Sequence, residues 1–167
     1  IAALLQECGN KSFAELAAPA IELARSGFPM HAIMHRNLDL SWYERLGMRF
    51  LMPSTAEVWF PYGWWQPARL NQKMVFPDLA NSLQNLADAE TRALEKGLSR
   101  EEAIEAMRDY FYRGPIAEQI VEFHRENDGL LTASDLLNYH GKWEQPVIGH
   151  IGDYTFFGNG TWSQGIM

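Results

Sequence analysis

Apolar side chains recur at helical spacing through most of the chain, and the breaks between runs carry caps and stops. Ser12-Phe13-Ala14-Glu15 opens the first run as a capping-box pattern, in which hydroxyl and carboxylate can satisfy orphan amides reciprocally. Leu16, Ala20, Leu23 and Ala24 follow in register, and Gly27 supplies the stop. Pro19 lies inside this run and predicts either a kink or the first position of a new helix. A second helix is predicted from Met30 to Leu46, ending at Gly47. Pro77 suits the first turn of a third, with Leu79, Leu83 and Leu86 on one face and Gly97 at its end. Ser99-Arg100-Glu101-Glu102 is another capping box, opening a helix through Ile104, Met107 and Tyr110. Gly114 stops it and Pro115 starts the next, with Ile116, Ile120 and Phe123 in register; Thr132 then caps a short helix with Asp135 at its third position.

Two stretches break the helical pattern. From Arg49 to Phe76 Pro53, Pro61, Gly63 and Pro67 punctuate a segment carrying Trp59, Phe60, Tyr62, Trp64 and Trp65. It reads as a long irregular loop, and so many aromatic rings predict that it packs against helices or a partner surface. After Trp143 the pattern becomes extended: Val147, Ile148 and Ile151, then Gly152-Asp153 as a tight turn, then Tyr154 to Phe157. The fold class is therefore mainly α with a C-terminal β-hairpin. Residues 12–139 form the helical region, with the aromatic loop 49–76 inside it, and 143–157 form the hairpin.

Composition narrows the function classes. The 167 residues are 47% hydrophobic, 21% charged and 13% aromatic, the profile of an ordered globular chain. The net charge of −7 argues against a nucleic-acid partner, which selects for a basic face. No apolar run approaches the ~18 residues that a membrane-spanning helix needs. The single Cys8 excludes an intrachain disulfide and is compatible with cytosol or periplasm alike, leaving the localisation open. The chain starts at Ile1 and stops at Met167 just after a Gly-rich turn, so it is expected to be a piece of a longer protein, an incomplete domain.

Several groups invite chemistry, and each has a structural explanation. His31 and His35 are four apart, as a helical metal site requires, but no acidic residue follows His31 and the other histidines (His124, His140, His150) are scattered. Glu101, Glu102 and Asp78 suit the positive end of a helix dipole, and Asp109 has no partner pattern for acid–base work. The Trp59–Trp65 cluster lacks interleaved basic residues, so loop anchoring or an interface explains it better than base stacking. The Gly158–Gly165 stretch lacks the Gly-Lys-Ser/Thr ending of a phosphate loop, Ser163 lies outside a nucleophile elbow, and Cys8 has no basic neighbourhood. No catalytic, cofactor-binding or metal-ligating residue is assigned, and no cofactor is expected.

Four blocks in order carry a family pattern: Leu16–Pro29 with its Pro-Ala-Ile-x-Leu-Ala core, Pro77-Asp78-Leu79-Ala80-Asn81-Ser82-Leu83, Phe111–Ile120, and Asp128–Val147 with Gly-x-Leu-Thr-x-x-Asp-Leu-x-x-Tyr. Together they resemble the large subunit of the gamma-glutamyltransferase (gamma-glutamyltranspeptidase) family, over most of the chain from Ser12 onward. Val58–Arg69 and Thr91–Asp109 look like insertions. Where the family has Pro-Pro-Pro-Ser-Ser-Gly-Gly, this chain has Gly160-Thr161-Trp162-Ser163-Gln164-Gly165-Ile166, keeping only Ser163 and Gly165, which suggests a divergent branch.

The resemblance implies a four-layer αββα N-terminal-nucleophile hydrolase fold of which this is an internal segment. It also implies a precursor that cleaves itself to expose a threonine, whose hydroxyl attacks an amide carbonyl with its own α-amine as base. The processing threonine is expected beyond Met167 and the substrate-gripping arginine before Ile1; Thr161 aligns with the turn motif and not with the nucleophile. The expected function is scaffold for an enzyme cleaving gamma-glutamyl amides such as glutathione, the fragment alone being inactive. Its partners are the rest of its own precursor, including the small subunit, and a small amide substrate. One alternative is an amidohydrolase or acylase of the same family, acting on oxamate-type amides or a β-lactam side chain. The other is a non-catalytic helical interaction module using the Trp59–Trp65 loop.

Overall fold

Local caps set most helix boundaries, and one long-range carboxylate sets how the helices meet. The computed structural model describes residues 1–164. One unit, Ile1–Leu137, contains α1 (Ala2–Cys8), α2 (Phe13–Ser26), β1 (Phe28–Pro29), α3 (Ala32–Asn37), α4 (Trp42–Leu51), α5 (Pro53–Trp59), β2 (Lys73–Met74), α6 (Pro77–Glu95), α7 (Arg100–Tyr112), α8 (Pro115–Glu126) and α9 (Ala133–Leu137). The other, from Asn138 onward, contains β3 (Val147–Ile151) and β4 (Tyr154–Gly158). The mainly helical class with a terminal hairpin is as expected, with a second, two-residue ribbon besides.

The main core lies where α1, α2, α6 and α7 converge on Leu5, Phe13, Ala17, Ile21, Ala87, Ile104 and Met107. Alanines on α6 (Ala80, Ala87, Ala93) are buried and leave room for close helix approach. The inward face of α2 is Phe13, Ala17, Ile21 and Ala24, whereas Leu16 and Leu23 are exposed. Of the stripe expected from Leu16, Ala20, Leu23 and Ala24 only Ala24 is buried, and the inward face is the neighbouring one; α2 is apolar on both, and periodicity alone does not choose between them. On α6, similarly, Leu83 and Leu86 pack at the edge of the core but Leu79 stays 52% exposed, because the buried line runs through Ala80, Ala87 and Glu90. Pro19 neither breaks nor restarts α2, which continues through it. On α8 Ala117 is buried, and Phe123, expected inside, is exposed.

A smaller core gathers around Met30, Ala68 and Met74, flanked by Phe28, Met34, Leu38, Trp59 and Phe76. It seats the antiparallel ribbon, with Phe28 opposite Met74 and Pro29 opposite Lys73. Met30 N–H donates to Gln72 O at 2.7 Å and Phe76 N–H to Ala24 O at 2.9 Å, tying the ribbon to the end of α2.

The helix expected over Met30–Leu46 is two helices. α3 ends in tight turns, with Leu38 N–H donating to both Met34 O and His35 O. Ser41 then starts α4: its amide and hydroxyl donate to the Glu44 carboxylate at 2.7 and 2.6 Å. That box outweighs the cost of Gly47, roughly 1 kcal/mol relative to alanine, so α4 runs through Gly47 to Leu51. The irregular loop expected over 49–76 is correspondingly shorter. Pro53 opens α5, at a position where a missing N–H costs nothing. Phe60 is buried and Trp59 half-buried, but Tyr62, Trp64 and Trp65 are exposed, so only part of the aromatic cluster packs down.

In the hairpin, pairing runs from Val147–Gly158 to Ile151–Tyr154, and Gly152 turns with φ 57°. Every residue of β3 is exposed, as is β4 up to Phe157. Trp162 Nε1–H donates to the Glu144 carboxylate at 2.8 Å, pinning the following turn to the segment leading into β3. Gly165, the last residue of the expected Gly-rich stretch, and Ile166 and Met167 after it lie outside the described residues.

Glu90 is the one buried charged residue among those described, at 2% exposure. Its two oxygens accept from Phe13 N–H and Ala14 N–H, both at 3.0 Å. The Ser12 hydroxyl accepts from Glu15 N–H at 3.1 Å, so the first three amides of α2 are all satisfied. The reciprocal box expected at Ser12 is only half formed: Glu15 pairs with Lys11 instead, and the next two amides, of Phe13 and Ala14, go to Glu90. Replacing Glu90 by alanine leaves two amides without acceptors and is expected to cost about 2–3 kcal/mol in denaturant unfolding of the full-length protein. Glu90→Gln, which retains one carbonyl acceptor, should lose less.

Candidate functional site

The residues singled out for chemistry are dispersed by the fold and engaged locally. His31 is the N-cap of α3, its Nδ1 accepting from Met34 N–H at 3.3 Å, and His35 lies one turn further on, its N–H donating to His31 O at 2.9 Å. His150 faces Thr155 across the hairpin at 3.2 Å. Among the described residues no group of three or more His, Cys, Asp or Glu side chains is placed to hold a metal ion. Asp109 is paired with Arg113 at 2.6 Å, and Asp78 and Glu101 lie in the first turns of α6 and α7. Cys8 is exposed at the end of α1. Thr161 and Trp162 occupy the tip of a turn closed by Ser163 N–H donating to Gly160 O at 3.1 Å.

Three carboxylates are held below their ordinary pKa by helix caps. For Glu44 the largest cause is the Ser41 hydroxyl, then the Ser41 amide. For Glu102 it is the Ser99 amide, at 2.7 Å, then the Ser99 hydroxyl. For Asp135 it is the Thr132 hydroxyl, at 2.6 Å, then the Thr132 amide at 2.8 Å. All three groups act on backbone ends, in structural roles.

The four motif blocks coincide with junctions between elements. Leu16–Pro29 forms α2 and the strand that follows, Pro77–Leu83 opens α6, Phe111–Ile120 spans the α7–α8 junction, and Asp128–Val147 contains α9 and leads into β3. Gly27 has φ 86° and ψ 162°, a region open essentially to glycine alone, and a Cβ there would lie 2.6 Å from Met74 O. A Cβ on Gly129 would overlap the His124 ring at 2.1 Å. What these motifs specify is close approach of backbone and the angles between helices.

One concavity accompanies this frame. A shallow groove of about 270 Å³ runs between α2 and α6, lined by Ala14, Ala18, Ile21, Glu22, Arg25, Ser26, Gln84 and Ala87. It offers one cation and one carboxylate, the latter accepting from the Ser26 hydroxyl at 3.4 Å. The residue that sequence reasoning missed is Glu90. Its signal was available: a carboxylate three positions after Ala87 on the alanine-lined stripe of α6, where charge is costly without partners.

Comparison with known proteins places this frame. The family model described as gamma-glutamyltranspeptidase matches residues 1–167. The glutathione hydrolase-like YwrD proenzyme of Bacillus subtilis is 28% identical over 155 residues, which are 93% of this chain and 25% of that protein. The chain thus spans about a quarter of the length of the curated relatives it matches. In structure it is similar to Helicobacter pylori gamma-glutamyltranspeptidase, with a TM-score of 0.77 and 25% identity over 98% of this chain and 41% of that one. It also shares the fold of a cephalosporin acylase from Bacillus halodurans, with a TM-score of 0.67 and 22% identity over 93% of this chain and 26% of that one.

Acid should weaken the caps in a defined direction. Because the folded pKa values of Glu44, Glu102 and Asp135 are lowered, their contribution is complete above the ordinary carboxylate range. It is lost as pH falls through the lowered values, so circular dichroism should show helix content steady from neutral pH and falling below that range. Glu102→Gln should flatten part of the fall. Gly27→Ala is expected to cost about 1–3 kcal/mol, read as a lower thermal midpoint.

Proposed function

The chain belongs to the gamma-glutamyltranspeptidase family, and we propose that it is the scaffold segment of a self-processing enzyme that cleaves gamma-glutamyl amides of the glutathione type. The observation that carries this is the family match over the whole of residues 1–167, joined to relatives that are glutathione hydrolase proenzymes. In this reading the precursor cuts itself to free a threonine outside this chain. The threonine hydroxyl attacks the gamma-glutamyl carbonyl, its α-amine taking the proton, and the amine product leaves. Water or an acceptor amine then resolves the acyl-enzyme, with backbone amides stabilising each oxyanion.

Residues 1–167 contribute an internal segment of the large subunit and no reacting group, so alone they are inactive. The helical region 12–139, including the 49–76 segment, braces the site, and the hairpin around 143–157 joins a larger sheet of an αββα sandwich. The exposed apolar side chains on both faces of that hairpin support this placement, because a two-stranded ribbon is at best marginally stable by itself. The partners are then the remainder of the precursor, with its small subunit, and a small amide substrate.

A second reading within the family is an acylase or amidohydrolase acting on another amide. It is favoured by Thr161-Trp162 standing where the resemblance leads one to expect prolines, and by the fold shared with a cephalosporin acylase.

Denaturing mass spectrometry of the complete gene product is the test. Two chains, the second beginning with threonine, together with release of amine from a gamma-glutamyl anilide, are expected. Two chains that cleave a cephalosporin side-chain amide but no gamma-glutamyl compound would establish the second reading. One uncut chain without activity would overturn both and favour an interaction module.

A further inference from the structure

The Gly-rich stretch after β4 holds a reactive pair of its own. Of the asparagines in the chain, only Asn159 is followed by glycine. Its carboxamide carbon and the amide nitrogen of the next residue are placed by the chain itself to close a five-membered imide. A side chain on that next residue ordinarily shields the nitrogen and stiffens the backbone, and glycine does neither.

The fold leaves this pair unrestrained. The hairpin ladder ends at the Val147–Gly158 pair, and the exposed Asn159 lies beyond it, at the entrance to the turn closed by Ser163 N–H on Gly160 O. Among the described residues nothing accepts from Gly160 N–H, and no hydrogen bond holds the Asn159 carboxamide. Glycine on both sides, Gly158 and Gly160, gives the backbone the freedom to bring nitrogen onto carbon. Asp128-Gly129 has the same connectivity and the opposite setting. There Gly129 N–H donates to His124 O at 2.7 Å and Asp128 is fixed at φ 54°. Asn81 and Asn85 are followed by amides inside α6, and the Asn127 carboxamide donates to Phe123 O at 2.8 Å.

We propose that Asn159 is a site of spontaneous modification, at which the folded protein converts asparagine to aspartate and isoaspartate. The Gly160 nitrogen gives its proton to solvent base and attacks Asn159 Cγ. That C–N bond forms, the Cγ–Nδ2 bond breaks, and Nδ2 takes up a proton and leaves as ammonia. Water then opens the imide. Attack at Cγ restores the original peptide link as aspartate; attack at the backbone carbonyl carbon leaves the chain running through the side chain as isoaspartate. One water is consumed, one ammonia is released, and nothing is oxidised or reduced. The product carries a new carboxylate beside the turn whose Trp162 is held by Glu144, and the isoaspartyl form adds a methylene between β4 and that turn. None of this depends on which amide the enzyme cleaves.

The test is peptide mass spectrometry of the full-length protein, held folded at mildly alkaline pH in ordinary or heavy-oxygen water. The peptide containing Asn159 should gain about one mass unit in the first and about three in the second, and should resolve into two forms. The change should quicken as pH rises. Asn159→Gln should abolish it. Gly160→Ala should slow it several-fold, since the added Cβ meets only the Trp162 ring, at 3.3 Å. A folded protein that stays unchanged overturns the proposal; the same chain unfolded in urea, converting alongside, serves as the control for the chemistry. A mass gain that persists in Asn159→Gln also overturns it, because the modification then lies elsewhere. So does a glycan on Asn159, whose Asn-Gly-Thr pattern fits an N-glycosylation acceptor.

Discussion

A carboxylate nearly out of reach of water survives only where donors converge on it, and Glu90 finds them at the start of another helix. The amides of Phe13 and Ala14 are orphans by virtue of position, and the partial positive charge at a helix N-terminus suits an anion. Each side thus cancels a cost the other would bear alone. The pairing also fixes rotation: with the first turn of α2 bonded to α6, Ala17, Ile21 and Ala24 face inward and Leu16 and Leu23 face out. The alanine stripe on α6 then meets α2 closely, and α7 completes the core through Ile104 and Met107.

The ribbon and the smaller core depend on this arrangement in turn. Gly27 ends α2 in a backbone conformation closed to other residues, which lets the chain pass against Met74 and pair as a strand. Phe76 N–H closes the circuit onto Ala24 O, so the point where α6 begins is anchored to the point where α2 ends. The motif blocks that identify the family lie on these joints. Their chemistry is that of caps and close approaches, which explains how they can be diagnostic of an enzyme while holding none of its reacting groups.

Helices α3 to α5 follow a different logic. They pack on the small core of Met30, Ala68 and Met74 through Met34, Leu38 and Trp59, and turn several large apolar side chains outward.

The sequence by itself determined the parts whose physics is local. The capping box at Ser99, the Thr132–Asp135 cap, the proline starts at Pro77 and Pro115 and the Gly152 turn each rest on side chains or backbone angles within a few residues, and the ordered motif blocks made the family legible. Position within a pattern misled where two local signals competed: Gly47 read as a stop although Ser41 and Glu44 had already nucleated the helix through it, and Pro53 read as a loop residue although it opened α5. Only the tertiary structure decided which apolar stripe of α2 faces inward, that Leu79 stays wet, and that Glu90 caps a helix 76 or 77 residues away in sequence. Those outcomes depend on groups brought together from distant parts of the chain, and no window along the sequence contains both partners.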